Sequence, residues 1–154
     1  MPTFSRSVDV ARPIAEVWDA WTDVRLLPRL SKSTVEVCDA PERLTAVGQT
    51  FRQVVRAVGR SFEATWTVTS FRAQDHLTIE GSVGFGVTQR LTEQVEAIDD
   101  ERTRLTIRVD YQMPFGPLGR VASKLGVEKL AQRESGEVLD QLKIVLESLP
   151  APAV

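Results

Sequence analysis

Apolar and polar residues alternate along most of the first 113 positions, and the period changes only twice. Phe4 to Ala11 places Phe4, Arg6, Val8 and Val10 on one side and Ser5, Ser7 and Asp9 on the other, the pattern of a strand with one buried face. Pro13 then opens a helix at a position where its missing N–H costs little. Ile14, Val17, Trp18 and Trp21 recur at helical spacing as the stripe of a one-sided helix. A second short helix is expected from Thr22 or Asp23 to Leu27, stopped by Pro28.

Five or six strands follow. Thr34 to Cys38 comes first, then a loop ending at Gly48. Thr50 to Val58 and Arg60 to Arg72 flank Gly59 as a hairpin, and Phe62, Ala64, Trp66 and Val68 alternate with Glu63, Thr65, Thr67 and Thr69. Leu77 to Ser82, Val87 to Ala97 and Arg104 to Met113 complete the set. Met113-Pro114-Phe115-Gly116-Pro117 breaks the sheet. From Pro117 to Leu149 the period is helical, with Leu118, Val121, Ala122 and Leu125 forming a sparse first cluster. Val138, Leu139, Leu142, Val145, Leu146 and Leu149 form a denser second one. The second reads as core and the first as a cavity wall. The fold class is α+β: a curved antiparallel sheet of about seven strands around a long C-terminal helix, with two short helices after the first strand. Residues 1–149 form one domain and 150–154 a disordered tail.

Composition narrows the function classes. The 154 residues suffice for one domain with its own core, 42% are hydrophobic and 26% charged. A net charge of −2 provides no field for nucleic acid. Arg52, Arg56 and Arg60 fall on the polar side of a strand and its turn, a solvated face. One cysteine, Cys38, excludes an internal disulfide and a thiolate metal cluster. One histidine, His76, excludes a zinc site of the usual His or Cys composition and any triad built on another imidazole; placed beside Asp75 in a turn, it reads as exposed and without function. No cofactor or metal is expected. No stretch resembles a signal peptide or a membrane span, so a soluble, cytoplasmic protein is expected. Monomer and homodimer both remain open.

The parity of the strands assigns the polar groups that share the apolar face. The inward sets are Phe51, Gln53, Val55 and Ala57; Val87, Gln89, Leu91, Glu93 and Val95; and Leu105, Ile107, Val109, Tyr111 and Met113. Gln53, Gln89, Glu93, Tyr111 and Arg6 are thus polar groups among hydrocarbon. Burying an unpaired amide or carboxylate costs about 1–3 kcal/mol, so they pair with one another, meet water, or orient a ligand. Glu93 is the candidate general acid or base, because an apolar setting raises its pKa. Tyr111 can donate to a carbonyl or enolate, and Arg6 can pair with a ligand carboxylate or with Glu93. Trp18, Trp21 and Trp66 read as core, Trp66 facing inward. Candidate ligand contacts are Gln53, Val55, Trp66, Gln89, Leu91 and Val109 from the sheet and Leu118, Val121, Ala122 and Leu125 from the long helix.

The segment Val8-Asp9-Val10-Ala11-Arg12-Pro13-Ile14-Ala15-Glu16-Val17-Trp18 resembles the opening strand, proline-led turn and Val-Trp helix of the START-related superfamily (SRPBCC). This helix-grip family includes polyketide cyclases, birch-pollen-allergen-like proteins and lipid-transfer domains. Asp23, Leu27-Pro28, Val35-Glu36-Val37, Gly48 and Leu139-Asp140-Gln141-Leu142-Lys143 carry the resemblance onward, from about residue 3 to 149. Leu30 stands where the family often has a tryptophan, which implies a widened or reshaped pocket. The resemblance implies binding, and with it transport, of a hydrophobic small molecule such as a lipid, polyketide, quinone or aromatic metabolite. A cavity of several hundred cubic ångströms is expected. The alternatives are a metal-independent cyclase, aromatase or dehydratase using Glu93 with Tyr111 or Arg6, and a module that docks on a macromolecular partner.

Overall fold

Period-two alternation leaves each strand one apolar face, and in the computed structural model these faces line up on the same side of one sheet. The structure describes residues 3–57, 59–82, 86–112 and 116–148, the side chains at 57, 116–128, 130 and 131 excepted. The strands are β1 (Thr3–Val10), β2 (Thr34–Cys38), β3 (Thr50–Ala57), β4 (Arg60–Arg72), β5 (His76–Ser82), β6 (Thr88–Ala97) and β7 (Thr103–Gln112). They form a seven-stranded sheet in the order β1-β7-β6-β5-β4-β3-β2, with every neighbouring pair antiparallel. The first strand therefore joins the last, and the rest is a meander of hairpins. Gly59, at the β3–β4 turn, takes a positive φ of 71°, which a side chain would resist.

The helices are α1 (Ile14–Thr22), α2 (Leu27–Leu30) and α3 (Gly116–Ser148), with a 3-10 turn over Val24–Leu26 leading into α2. Pro28 does not stop a helix, as its sequence context suggests. It lies in the first turn of α2, where the backbone N–H it lacks has no intrahelical partner in any case. The 3-10 turn is capped by Asp23, whose carboxylate accepts the backbone N–H of Arg25 at 3.2 Å. No helix among the described residues is long and apolar enough to cross a membrane.

The long helix packs on β1 and β7 and against α1 and α2, covering the concave side of the sheet. Val138, Leu139, Leu142 and Leu146 bury its inner face, as their spacing predicts, against a core that includes Val10, Val17, Trp18 and Leu105. Each fully buried Leu contributes roughly 1.5–3 kcal/mol. The sparse first cluster of α3, Leu118, Val121, Ala122 and Leu125, lies outside the residues whose side chains are described.

Two irregularities interrupt the ladder, between Thr34 and Glu36 on β2 and between Val68 and Ser70 on β4. The second reverses the parity of β4 beyond Val68. Phe71 is thereby turned toward α1, where its ring meets that of Trp18 at a centroid distance of 5.7 Å.

Candidate functional site

Between the sheet and the three helices lies a chamber of about 130 Å³. Its wall is mostly hydrocarbon. The sheet supplies Leu77, Ile79, Leu91, Ile107 and Val109, the short helical segments supply Val24, Leu27 and Leu30, and α3 supplies Val138. The chamber is smaller than the several hundred cubic ångströms expected, and the rings of Trp21, Phe51 and Trp66 stand on its wall.

Strand parity places the polar groups as the alternation predicts. Gln53, Gln89 and Glu93 line the chamber together with Trp66, Leu91 and Val109. Glu93 is 6% exposed and accepts a hydrogen bond from the indole N–H of Trp21. Its neighbours in register are Leu77 on β5 and Ile107 on β7, neither of which can solvate a charge. Burial pushes the Glu93 carboxyl up to about 8, and the Trp21 hydrogen bond only partly opposes this. At neutral pH it is a carboxylic acid.

Gln53 is satisfied within the protein. Its Oε1 accepts from Trp66 Nε1 at 2.9 Å and its Nε2 donates to Thr34 Oγ1 at 2.7 Å, a chain that ties three strands together. Gln89 makes no side-chain hydrogen bond among the described residues.

Three candidates do not line the chamber. Tyr111 is fully buried on β7 but sits off the wall, opposite Gln89 in register. Val55, on β3, is half-buried beside Phe62 and Thr34. Arg6 neither pairs with Glu93 nor reaches the chamber. Its guanidinium donates to the carbonyl of Gln132 at 3.1 Å and lies over Gly136, where a β-carbon would come within 2.4 Å of Nη1. Parity puts Arg6 on the covered side of β1, but the long side chain ends on the backbone of α3. Leu118, Val121, Ala122 and Leu125 lie outside the described side chains.

Sequence reasoning missed a second acid. Glu134 of α3 lines the chamber and accepts from Ser31 Oγ at 2.9 Å, just beyond α2. Burial raises its pKa, opposed by the Ser31 hydrogen bond and assisted by nearby Glu137. Ser31, Ser135 and Asp23 are further polar wall residues. The signal for Glu134 lay in its spacing, four residues before Val138 on the inner face of the helix.

The remaining singled-out residues lie elsewhere. Arg52 pairs with Asp39 and Glu63 at 2.7 and 2.8 Å on the exposed side of the sheet. His76 is only partly exposed; it begins β5 and bonds to Ser70 and Asp75. The Glu36 carboxylate beside Cys38 holds its thiol above the ordinary value, the opposite of an activated nucleophile.

Many solved structures share this architecture, among them the following three. The Zhui aromatase/cyclase from Streptomyces sp. R1128 is 19% identical with a TM-score of 0.83, over 99% of both chains. A START superfamily protein from Mycobacterium smegmatis is 16% identical with a TM-score of 0.73, over 96% of this chain and 99% of its own. The di-domain ARO/CYC BexL from the BE-7585A biosynthetic pathway is 20% identical with a TM-score of 0.73, over 97% of this chain and 48% of its own. At these identities the likeness is one of fold, the helix-grip. No curated protein sequence matches. The sequence model described as polyketide cyclase / dehydrase and lipid transport matches residues 1–147, and the chain belongs to that family.

Proposed function

We propose that the protein binds a small hydrophobic molecule in the chamber between the sheet and the helices. The observation that carries this reading is an apolar space of about 130 Å³ with a neutral, buried carboxyl, Glu93, on its wall. An apolar wall supplies affinity and a few polar groups supply orientation. A void of about 150 Å³ lined by hydrocarbon is enough to take up benzene, so the space corresponds to roughly one ring. That favours a single-ring aromatic metabolite or quinone over a long-chain lipid or a full-length polyketide. Family membership supports the class of ligand, and transport would follow from reversible binding.

The test is native mass spectrometry of the purified protein together with a thermal-shift series of single-ring, fused-ring and long-chain compounds. A ligand that binds only the folded state raises the melting temperature. Single-ring compounds are expected to give the largest shift. No shift with any of the three groups would overturn the proposal.

A second reading, catalysis of ring closure or water loss, is favoured by one further observation. Two carboxyls of raised pKa, Glu93 and Glu134, face the same space. Glu93 is protonated at neutral pH and equipped to donate to a departing hydroxyl or a carbonyl oxygen. Tyr111 and Arg6 do not share that wall. Turnover that survives both Glu93→Gln and Glu134→Gln would retire this reading.

A further inference from the structure

On the reading of the chamber as a ligand site, its wall also specifies which chemistry it accepts. Glu93 has two carboxyl oxygens. One accepts the Trp21 indole N–H, the only hydrogen bond of this side chain among the described residues. An indole nitrogen donates and never accepts, so Trp21 cannot receive the acid's own proton. Leu77 and Ile107, beside Glu93 in the sheet, offer no acceptor either. The acid O–H is thus a donor left for whatever occupies the chamber.

Gln89 stands two residues earlier on the same face of β6, also on the wall, and its amide adds N–H donors that no described side chain uses. Among the described residues, the charged ones facing the chamber are acidic. Asp23 accepts from the backbone N–H and the side-chain Nε of Arg25, and Glu134 accepts from Ser31. No Lys, Arg or His lines the chamber among the described residues. A carboxylate brought into this space would lose its hydration, meet the carboxyls of Asp23 and Glu134, and find no cation among the described side chains. A neutral carbonyl meets the opposite conditions: donors at hand and hydrocarbon around its ring.

We infer that the chamber selects a neutral, single-ring carbonyl compound, a cyclic or aryl ketone or a quinone, whose oxygen accepts from Glu93, and that it rejects carboxylates such as fatty acids.

The experiment compares three probes of similar size by calorimetric titration at about pH 6, where Glu93 is protonated: acetophenone, ethylbenzene and benzoate. Acetophenone is expected to bind about tenfold tighter than ethylbenzene, the worth of one hydrogen bond, and benzoate not at all. Glu93→Leu should bring acetophenone down to the level of ethylbenzene, whereas Glu93→Gln, which keeps an N–H donor, should retain the preference. Should the leucine variant fail to fold, the wild type at about pH 10 answers the same question. Glu93 is then ionised, no cation among the described wall residues compensates it, and the preference should vanish. Equal binding of acetophenone and ethylbenzene, or tighter binding of benzoate, overturns this inference and leaves the hydrophobic site standing. No binding by any of the three overturns both.

Discussion

Trp21 on α1 and Glu93 on β6 are 72 residues apart in the chain, and the indole N–H of the first donates to the carboxyl of the second on a wall they share. Burial drives the Glu93 pKa up and this hydrogen bond draws it down. Trp21→Phe keeps a ring and removes the donor. The Glu93 pKa should then rise further above about 8, and stability should fall by about 1–3 kcal/mol for the carboxyl oxygen left unpaired. Carbon-detected NMR titration of the carboxyl and urea unfolding read the two effects; an unmoved pKa would contradict the contact.

Glu93 also makes stability depend on pH. In the unfolded chain it ionises near 4.5, in the native protein near 8. Between these values the native state holds a proton the unfolded state has released, so the group's contribution to stability falls as pH rises and levels off above about 8. At roughly 1.4 kcal/mol per pH unit the loss reaches roughly 3 kcal/mol by pH 7. Glu93→Gln removes this dependence. The variant's stability relative to the wild type should rise by that amount between about pH 4 and pH 7, Glu134 being common to both proteins. Urea midpoints across that range decide it, and parallel profiles would mean that Glu93 is not buried as an acid.

What could be read in the chain follows from what a periodic pattern encodes. Period-two alternation on β3, β6 and β7 reports which side chains share a face, and it placed Gln53, Gln89 and Glu93 inside. The irregularity after Val68 was invisible, because one extra residue leaves no mark in composition. Arg6 shows a second limit: parity located its α-carbon, while a long flexible side chain chose its own destination on α3. Glu134 sits in a polar stretch, Glu134-Ser135-Gly136-Glu137, and its inward position depends on how α2 docks against α3. The chamber's size depends on how far the rings of Trp21, Phe51 and Trp66 extend, which alternation does not record.

Gly81 is a close-approach glycine. It pairs with Trp66 on one side and Gln89 on the other. A β-carbon there would lie 2.2 Å from the Thr65 carbonyl oxygen and 2.9 Å from Trp66 Cε3. Backbone cannot yield without opening the β4–β5 ladder. Gly81→Ala should cost about 1–3 kcal/mol and shift tryptophan fluorescence as Trp66 is pushed on the chamber wall. Wild-type stability with an unchanged spectrum would refute the crowding.

Gly136 looks equally crowded and should behave differently. Its added β-carbon would meet Arg6, at 2.4 Å from Nη1 and 2.8 Å from Cζ, but these atoms end an exposed, flexible side chain. Swinging aside forfeits the Arg6 hydrogen bond to Gln132, worth about 1 kcal/mol at most. Alanine in a helix interior returns about 1 kcal/mol over glycine. Gly136→Ala should therefore leave stability within about 0.5 kcal/mol of the wild type in urea unfolding. A loss above about 2 kcal/mol would show Arg6 to be rigidly held.

Gln53 joins β2, β3 and β4 by accepting from Trp66 and donating to Thr34, and both partners are buried. Gln53→Leu fills a similar volume and leaves an indole N–H without its acceptor and a hydroxyl without its donor. Each unpaired group costs about 1–3 kcal/mol, and the added hydrocarbon recovers part of that, so a net loss of about 1–2 kcal/mol is expected. The attribution needs a second substitution, since leucine also changes packing. Trp66→Phe removes the N–H that Gln53 serves, so Gln53→Leu should cost about 1 kcal/mol less in that background than in the wild type. Strictly additive losses in urea unfolding would mean that the two side chains do not interact, and that Gln53 is held on the chamber wall by Thr34 alone.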